Sequence, residues 1–326
     1  MRPVPEILAD VRRPGRNQVP DFPQDFLLNS PTAVVLSFDI EEHYRIEAAA
    51  RLAVPDDLKR EYAGRMEQST RRLLAQLAAA AAPATFYVVG EIAVSHPQLV
   101  RDIAAAGHEI GTHSWSHLRV HRFTPATFRD DLRRSIDTLS AVAGVPVVGY
   151  RAPTFSVARQ TAWAVDVLAD VGLKYDTSVF PVRHDRYGVP DAPRVPFRLK
   201  REGRRSGGEV LELPLATWRV GGQNLPIAGG GYFRLFPLRC VQAGIDQLIR
   251  QSAPLAMLYF HPWEFDPGMP RLALRGVSRF RTYVGIGGTE ARLDRLLTRY
   301  RGHFRRAIDV VEALDAAALP SFALTP

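Results

Sequence analysis

Apolar positions along the chain follow two rhythms that alternate. Ala33-Val34-Val35-Leu36-Ser37-Phe38 is a short, almost unbroken apolar run rich in β-branched residues, as in a strand buried on both faces. It stops at a knot of acids, Asp39, Glu41 and Glu42. Over 66–82, Leu73, Leu74 and Leu77 recur at helical spacing, and Pro83 ends the segment. A second buried strand is expected over 84–89. A helix follows over 96–106, closed by Gly107 as a left-handed cap. Residues 108–111 form a short strand leading into a histidine pair. Thr124 and Pro125 have the chemistry of an N-cap and a first helical position, opening a helix to about Ala143. A strand over 147–150 ends at Arg151, and a helix over 160–171 ends before Gly172.

Strand and helix therefore alternate through residue 180, which predicts a parallel sheet or barrel with helices outside. Over 181–235, Pro and Gly become frequent and strands short, as in Val210-Leu211-Glu212-Leu213, so this stretch reads as a loop-rich insertion walling a groove. Alternation resumes with a helix over 238–250 and a strongly apolar strand, 255–260, that ends at His261. Residues 267–288 read as loop, and helices over 289–300 and 310–319 close the chain.

Composition narrows the picture. The 326 residues, 46% hydrophobic, suffice for one barrel-sized domain or two small ones. Lys and Arg number 42 against 34 Asp and Glu, a net charge of +8, with clusters at Arg204-Arg205 and 299–306. This fits a solvated basic surface. No aromatic residues interleave with a basic run, which argues against a nucleic-acid groove. Cys240 is the single cysteine, so no intramolecular disulfide can form, in keeping with a reducing compartment. Residues 1–30 read as an irregular arm without the apolar core of a signal peptide, and no run approaches the ~18 apolar residues of a membrane span. A cytoplasmic protein is expected, with a barrel domain and C-terminal extension over 31–326.

Four places carry candidate chemistry. In His113-Ser-Trp-Ser-His117, histidines four apart on one side of a helix or tight turn can reach one metal ion. In Phe38-Asp39-Ile40-Glu41-Glu42, crowded carboxylates repel one another unless a cation or an arginine is near. In extended backbone Asp39 and Glu41 share a face and Glu42 takes the other, which favours Asp39 and Glu41 as the working pair. Arg151, at a strand end, could orient a carboxylate. His261 could be a satisfied core histidine or an acid–base group. Each alone has an ordinary structural explanation. Together, all at strand C-termini, they supply what metal-assisted amide hydrolysis requires.

Ser37-Phe38-Asp39, His113-Ser-Trp-Ser-His117, Arg151-Ala-Pro and Leu258-Tyr-Phe-His261-Pro resemble, in order, the motifs of the NodB-homology polysaccharide deacetylases, carbohydrate esterase family 4. The resemblance covers about 33–300. Ala84-Thr-Phe-Tyr, Ala106-Gly-His-Glu-Ile110, Ser178-Val-Phe-Pro-Val-Arg-His-Asp-Arg-Tyr-Gly188, Gly230-Gly-Tyr-Phe-Arg234 and Ser278-Arg-Phe-Arg-Thr-Tyr283 look like the subgroup associated with exosortase and exopolysaccharide clusters. The resemblance implies a distorted (β/α) barrel, often of seven strands, and removal of N-acetyl groups from a glycan. It implies that Asp39 takes a proton from the attacking water, Arg151 holds Asp39 charged, His113 and His117 bind a divalent metal, zinc above all, and His261 protonates the leaving amine. Many members carry two adjacent aspartates in the first motif. Here Ile40 intervenes, so the third ligand is assigned to Glu41, with Glu42, or two protein ligands plus water, as alternatives. Trp115, Tyr187, Tyr232, Phe233 and Trp263 are candidates to line a sugar groove, and Arg186 and Arg234 to meet an anionic glycan or lipid diphosphate. The expected partner is an N-acetylated glycan, with peripheral association with a membrane polysaccharide assembly. The competing readings are a metal-free amidohydrolase acting on a small cyclic amide and a non-catalytic glycan-binding protein of a polysaccharide export system.

Overall fold

The computed structural model describes residues 31–203 and 208–325; the expected N-terminal arm and the Arg204-Arg205 pair lie outside the described residues. In chain order the elements are β1 (Ala33–Ile40), α1 (Asp56–Ala79), β2 (Thr85–Val88), α2 (Gly90–Ser95), α3 (Pro97–Ala105), β3 (Glu109–Thr112), α4 (Pro125–Ala143), β4 (Gly149–Tyr150), α5 (Ala164–Asp170) and β5 (Tyr175–Asp176). There follow β6 (Phe197–Arg201), β7 (Glu209–Glu212), β8 (Thr217–Val220), β9 (Gln223–Pro226), α6 (Gly230–Leu235), α7 (Leu238–Arg250), β10 (Leu255–Phe260), α8 (Gly276–Tyr283), α9 (Thr289–Arg299), α10 (Ala307–Ala313) and β11 (Ser321–Leu324).

One nine-stranded sheet runs in the order β10-β1-β2-β3-β4-β5-β7-β6-β11. From β10 to β7 every pairing is parallel. β1 and β10 are buried along their whole length, as unbroken apolar strands inside a parallel sheet must be. Single parallel bridges, Leu215 to Met257 and Gly229 to Tyr259, bring the chain after β7 back beside β10. The two ends of the parallel run thus approach each other without a continuous ladder, an α/β arrangement in keeping with a distorted barrel.

The structure differs from the sequence expectations in several places. The 181–235 stretch contains β6 to β9 and α6, and its β7 completes the parallel run. Helix α1 begins ten residues before 66, at Asp56, because Leu58, Tyr62 and Met66 continue its apolar stripe through a charged segment. The expected 160–171 helix splits into a single turn, Arg159–Thr161, and α5. Helix α8 occupies part of the expected 267–288 loop, and β11 was not anticipated. Around 310–319, the chain forms α10 and then a short turn, Ala316–Ala318. Helices α4 and α7 match expectation, and Thr124 does cap α4.

Candidate metal and hydrolytic site

The C-terminal ends of β1, β3, β4 and β10 bring the expected residues together. Asp39, on β1, accepts a hydrogen bond from Arg151 Nη1 at 2.6 Å, and Arg151 is wholly buried. Burial works against the charge of Arg151, and the Asp39 carboxylate outweighs it, so the guanidinium stays protonated. Its flat face lies 4.2 Å from the centre of the Tyr87 ring.

His113 directly follows β3. Its Nδ1 lies 2.7 Å from the carbonyl oxygen of Arg151, which can only accept, so Nδ1 carries the proton and Nε2 presents a lone pair. Burial is the main reason its pKa falls to about 4, which keeps the ring neutral, as a metal ligand must be. His117 Nε2 lies 2.5 Å from Glu41 Oε2. Ligand atoms of Glu41, His113 and His117 all fall within 4.8 Å of one another. Burial would raise the Glu41 pKa, but His117, His261 and His113 outweigh it and hold the carboxyl ionised, at about 2. Glu41 Oε2 is buried with no aligned hydrogen-bond donor among the described residues. A carboxylate facing two imidazoles in this state is a donor set suited to a divalent cation, and zinc takes such ligands readily. Glu42 turns away, with Arg45 Nε 2.5 Å from its Oε2. The geometry therefore selects Glu41 over Glu42.

The histidine pair does not sit on a helix. It lies in a loop whose Ser114 (φ 69°) and His117 (φ 62°) adopt left-handed backbone. Asp131 of α4 fixes that loop: one of its oxygens, Oδ2, accepts from Ser114 Oγ at 2.6 Å and from the Trp115 amide at 3.0 Å.

His261 faces the same cleft, its Nε2 3.5 Å from Glu41 Oε1 and 3.9 Å from Asp39 Oδ2. Behind it, Glu264 Oε2 lies 3.3 Å from His261 Nδ1 and accepts the His261 amide at 2.9 Å. Arg234 in turn reaches Glu264 Oε1 at 3.0 Å and donates to the carbonyls of Thr282 and Val284. Burial would lower the His261 pKa, but hydrogen bonding to Glu264 and the charges of Glu41, Glu264 and Asp39 raise it to about 9. Burial would raise that of Glu264, and Arg234 overcomes it. A Cβ at Gly230 would collide with the Glu264 carboxylate, so the small residue there makes the approach possible.

Sequence reasoning missed Glu264 and Asp131 and misplaced Arg234. Arg234 is buried and committed to Glu264, so it is not a free anion contact. Tyr187, Trp263 and Arg186 do line the cleft beside Asp39 and His261. Trp115 does not: its ring packs at Gly90 under the Arg134 guanidinium, 3.7 Å away. Tyr232 stands outside that lining, stacked on Phe236, and Phe233 is buried core against Phe260.

The fold and site define an α/β protein with a His/Glu metal-capable centre at the C-terminal end of a parallel sheet. Residues 32–175 match the family model described as polysaccharide deacetylase, the family that the sequence motifs resemble. Residues 177–311 match a second model, described as a domain of unknown function, DUF3473. A peptidoglycan deacetylase of Helicobacter pylori is 31% identical over 126 residues, 38% of this chain and 41% of that protein. A chitooligosaccharide deacetylase of Bradyrhizobium is 28% identical over 87 residues, 27% of this chain and 37% of that protein. These matches span about two fifths of the relatives' length. Among solved structures, a Mycobacterium smegmatis protein assigned to the polysaccharide deacetylases superposes with a TM-score of 0.63 at 22% identity, covering 91% of this chain and 94% of its own. The allantoinase Puue superposes with a TM-score of 0.60 at 16% identity, covering 91% and 99%. At these identities the superpositions speak for the fold alone.

Proposed function

We propose that the chain is a metal-dependent hydrolase that removes N-acetyl groups from amino sugars of a bacterial exopolysaccharide, or of its lipid-linked precursor, and releases acetate. One observation carries the proposal. An arginine-held carboxylate, a carboxylate with two imidazoles, and a carboxylate-backed histidine converge on one cleft. The relatives' names supply the substrate class, and the 178–188, 230–234 and 278–283 phrases supply the exopolysaccharide setting. We place the protein in the cytoplasm, in keeping with its single cysteine.

Glu41, His113 and His117 would hold the metal, zinc by donor type. When bound, it supplies Lewis acidity towards the acetyl carbonyl and lowers the pKa of water. Asp39, kept ionised by Arg151, takes the proton of the attacking water. His261 begins protonated, because Glu264 and the two cleft carboxylates favour the cation, and gives its proton to the departing nitrogen. An amine leaves poorly without that proton. Tyr187 and Trp263 form apolar walls for a sugar ring.

The test is zinc binding by calorimetry on chelator-stripped protein, followed by acetate release from N-acetylated glycans. One site in the wild type, lost in His113→Ala and His117→Ala, with zinc-dependent acetate release, is the expected result. The allantoinase fold match keeps a second reading open, a metal-free amidohydrolase; turnover that persists after stripping would favour it. Zinc binding without acetate release from any N-acetylated glycan would favour a glycan-binding protein.

A further inference from the structure

Helix α8 stands at the rim of the cleft, where Arg281 and Thr282 form part of the lining. It is an unusual helix. Of its eight residues only Thr282 is buried. Val277 and Phe280 are 65% and 56% exposed and, three positions apart, project from the same side. Such apolar side chains in open solvent gain nothing for the fold. Arginines 271, 275, 279 and 281 surround them, and no Asp or Glu occurs between 271 and 289. All four are exposed. Arg275 and Arg279 have no ion-pair partner among the described residues, and Arg281 has only the exposed Asp185, at 3.3 Å. The segment nevertheless has a fixed place. Arg234 holds the carbonyls of Thr282 and Val284, and the Tyr283 hydroxyl accepts from the Leu272 amide at 2.7 Å and lies 3.1 Å from His43 Nε2.

We propose that α8 docks the protein onto an anionic lipid surface, with Val277 and Phe280 entering the interface and Arg271, Arg275 and Arg279 meeting lipid phosphates. The charge pattern selects this occupant. A protein partner would be expected to meet acids as well as bases, whereas this segment offers only bases around two apolar tips, the composition of an interfacial helix. Among the described residues no helix is long and apolar enough to cross a membrane, so the contact is peripheral. Because Arg281 and Thr282 belong to both the helix and the cleft wall, docking would set the cleft beside the lipid headgroups, where a lipid-attached glycan would be presented. The docking proposal does not depend on the hydrolytic reading.

Its test is cosedimentation of the full-length protein with vesicles of phosphatidylcholine alone and of phosphatidylcholine mixed with phosphatidylglycerol. Binding is expected only to the mixed vesicles, and it should weaken as salt rises. Arg275→Gln/Arg279→Gln should weaken it about fivefold for each arginine removed. Val277→Ser/Phe280→Ser should weaken it about tenfold or more, because the apolar insertion is lost. All four positions are exposed, so the thermal unfolding midpoint should not move. Val94→Ser/Leu118→Ser, which removes two exposed apolar residues elsewhere, should bind as the wild type does. No binding to anionic vesicles, equal binding to neutral ones, or an equal loss in the Val94/Leu118 control would each overturn the proposal.

Discussion

Glu264 determines how His261 can act. It is not one of the three metal-capable residues, so its hold on His261 should persist when a cation occupies Glu41. With the pKa of His261 raised to about 9, the imidazolium is present throughout the neutral range and is lost only as pH rises through that value. In Glu264→Gln the neutral amide can no longer favour the cation, while the Arg234 charge remains close by. The alkaline limb of the kcat/KM profile should then move down by more than about one pH unit, at least tenfold in the protonation equilibrium, with zinc stoichiometry unchanged. An unmoved limb would mean that His261 is not the proton donor. A second substitution pair tests the ligand set: Glu41→Ala should lose zinc, and Glu42→Ala, whose carboxylate is occupied by Arg45, should keep it. Asp39, Glu41, His113, Arg151 and His261 could be read from the sequence because each ends or follows a strand, and strand ends share one face of such a sheet. Glu264, Arg234 and Asp131 could not, since their importance comes from burial against a partner rather than from any local pattern. Trp115 misled for a related reason: the left-handed residue Ser114 just before it sends its ring to the helical side, away from the cleft.

At the level of elements, strands ending in carboxylates face a common difficulty, and β5 and β7 resolve it differently from β1. Asp176 and Glu212 are paired in register, and both are fully buried. Ser178 Oγ donates to Asp176 Oδ1 at 2.5 Å, and the Val179 amide to Glu212 Oε1 at 2.8 Å. The remaining oxygens, Asp176 Oδ2 and Glu212 Oε2, find no donor among the described residues. Two carboxyls so placed are reconciled by a proton held between them. Burial, above all, raises Asp176 to about 6 and lifts Glu212 well above the ordinary carboxylate range, and the charge of Asp176 adds to the effect on Glu212. The sign for stability follows: folded carboxyls with raised pKa values keep protons that the unfolded chain has released. Stability therefore falls as pH rises from the ordinary carboxylate range, about 4, through 6 and beyond, by up to about 1.4 kcal/mol per pH unit for each retained proton. Urea unfolding at mildly acidic and mildly alkaline pH should show this loss, and Asp176→Asn should reduce it; an identical pH dependence in the variant would refute the shared proton. The strands that bear such residues were legible in proportion to their length. β1 and β10 stood out as six- to eight-residue apolar runs, whereas β4 and β5 are two residues long and draw their strand character from neighbours rather than from their own sequence. The start of helix α4 was legible because Thr124 and Pro125 mark it; its end, read as about Ala143, is closed by Gly144 in left-handed backbone (φ 70°). Thr124→Ala removes the cap and should cost about 1 kcal/mol, measurable as a lower unfolding midpoint.

For the whole molecule, the boundary between the two family models falls inside one sheet. Residues 32–175 supply β1 to β4 and the first residue of β5, and residues 177–311 supply β7 and β10, the strands at the two ends of the parallel run. β10 pairs with β1 along six consecutive residues, Ala33 to Phe38, and covers one edge of the strand that carries Asp39. Without β10, that edge would expose backbone donors and acceptors along a strand that is otherwise wholly buried and mostly apolar, a state that unfolds or aggregates. The second segment also supplies His261, Glu264 and Arg234. Although Glu41, His113 and His117 all lie in the first segment, a fragment of residues 31–176 should therefore show no cooperative unfolding transition and bind no zinc at a single site. A fragment that unfolded cooperatively and bound one zinc ion would show that the first segment is an independent domain to which the second merely adds a wall. Read from the sequence, 31–326 is one barrel domain with 181–235 as a loop-rich insertion, and the strand that this stretch adds is missed. The structure makes β7 part of the same sheet, and the metal-capable group depends on strands that come from both segments.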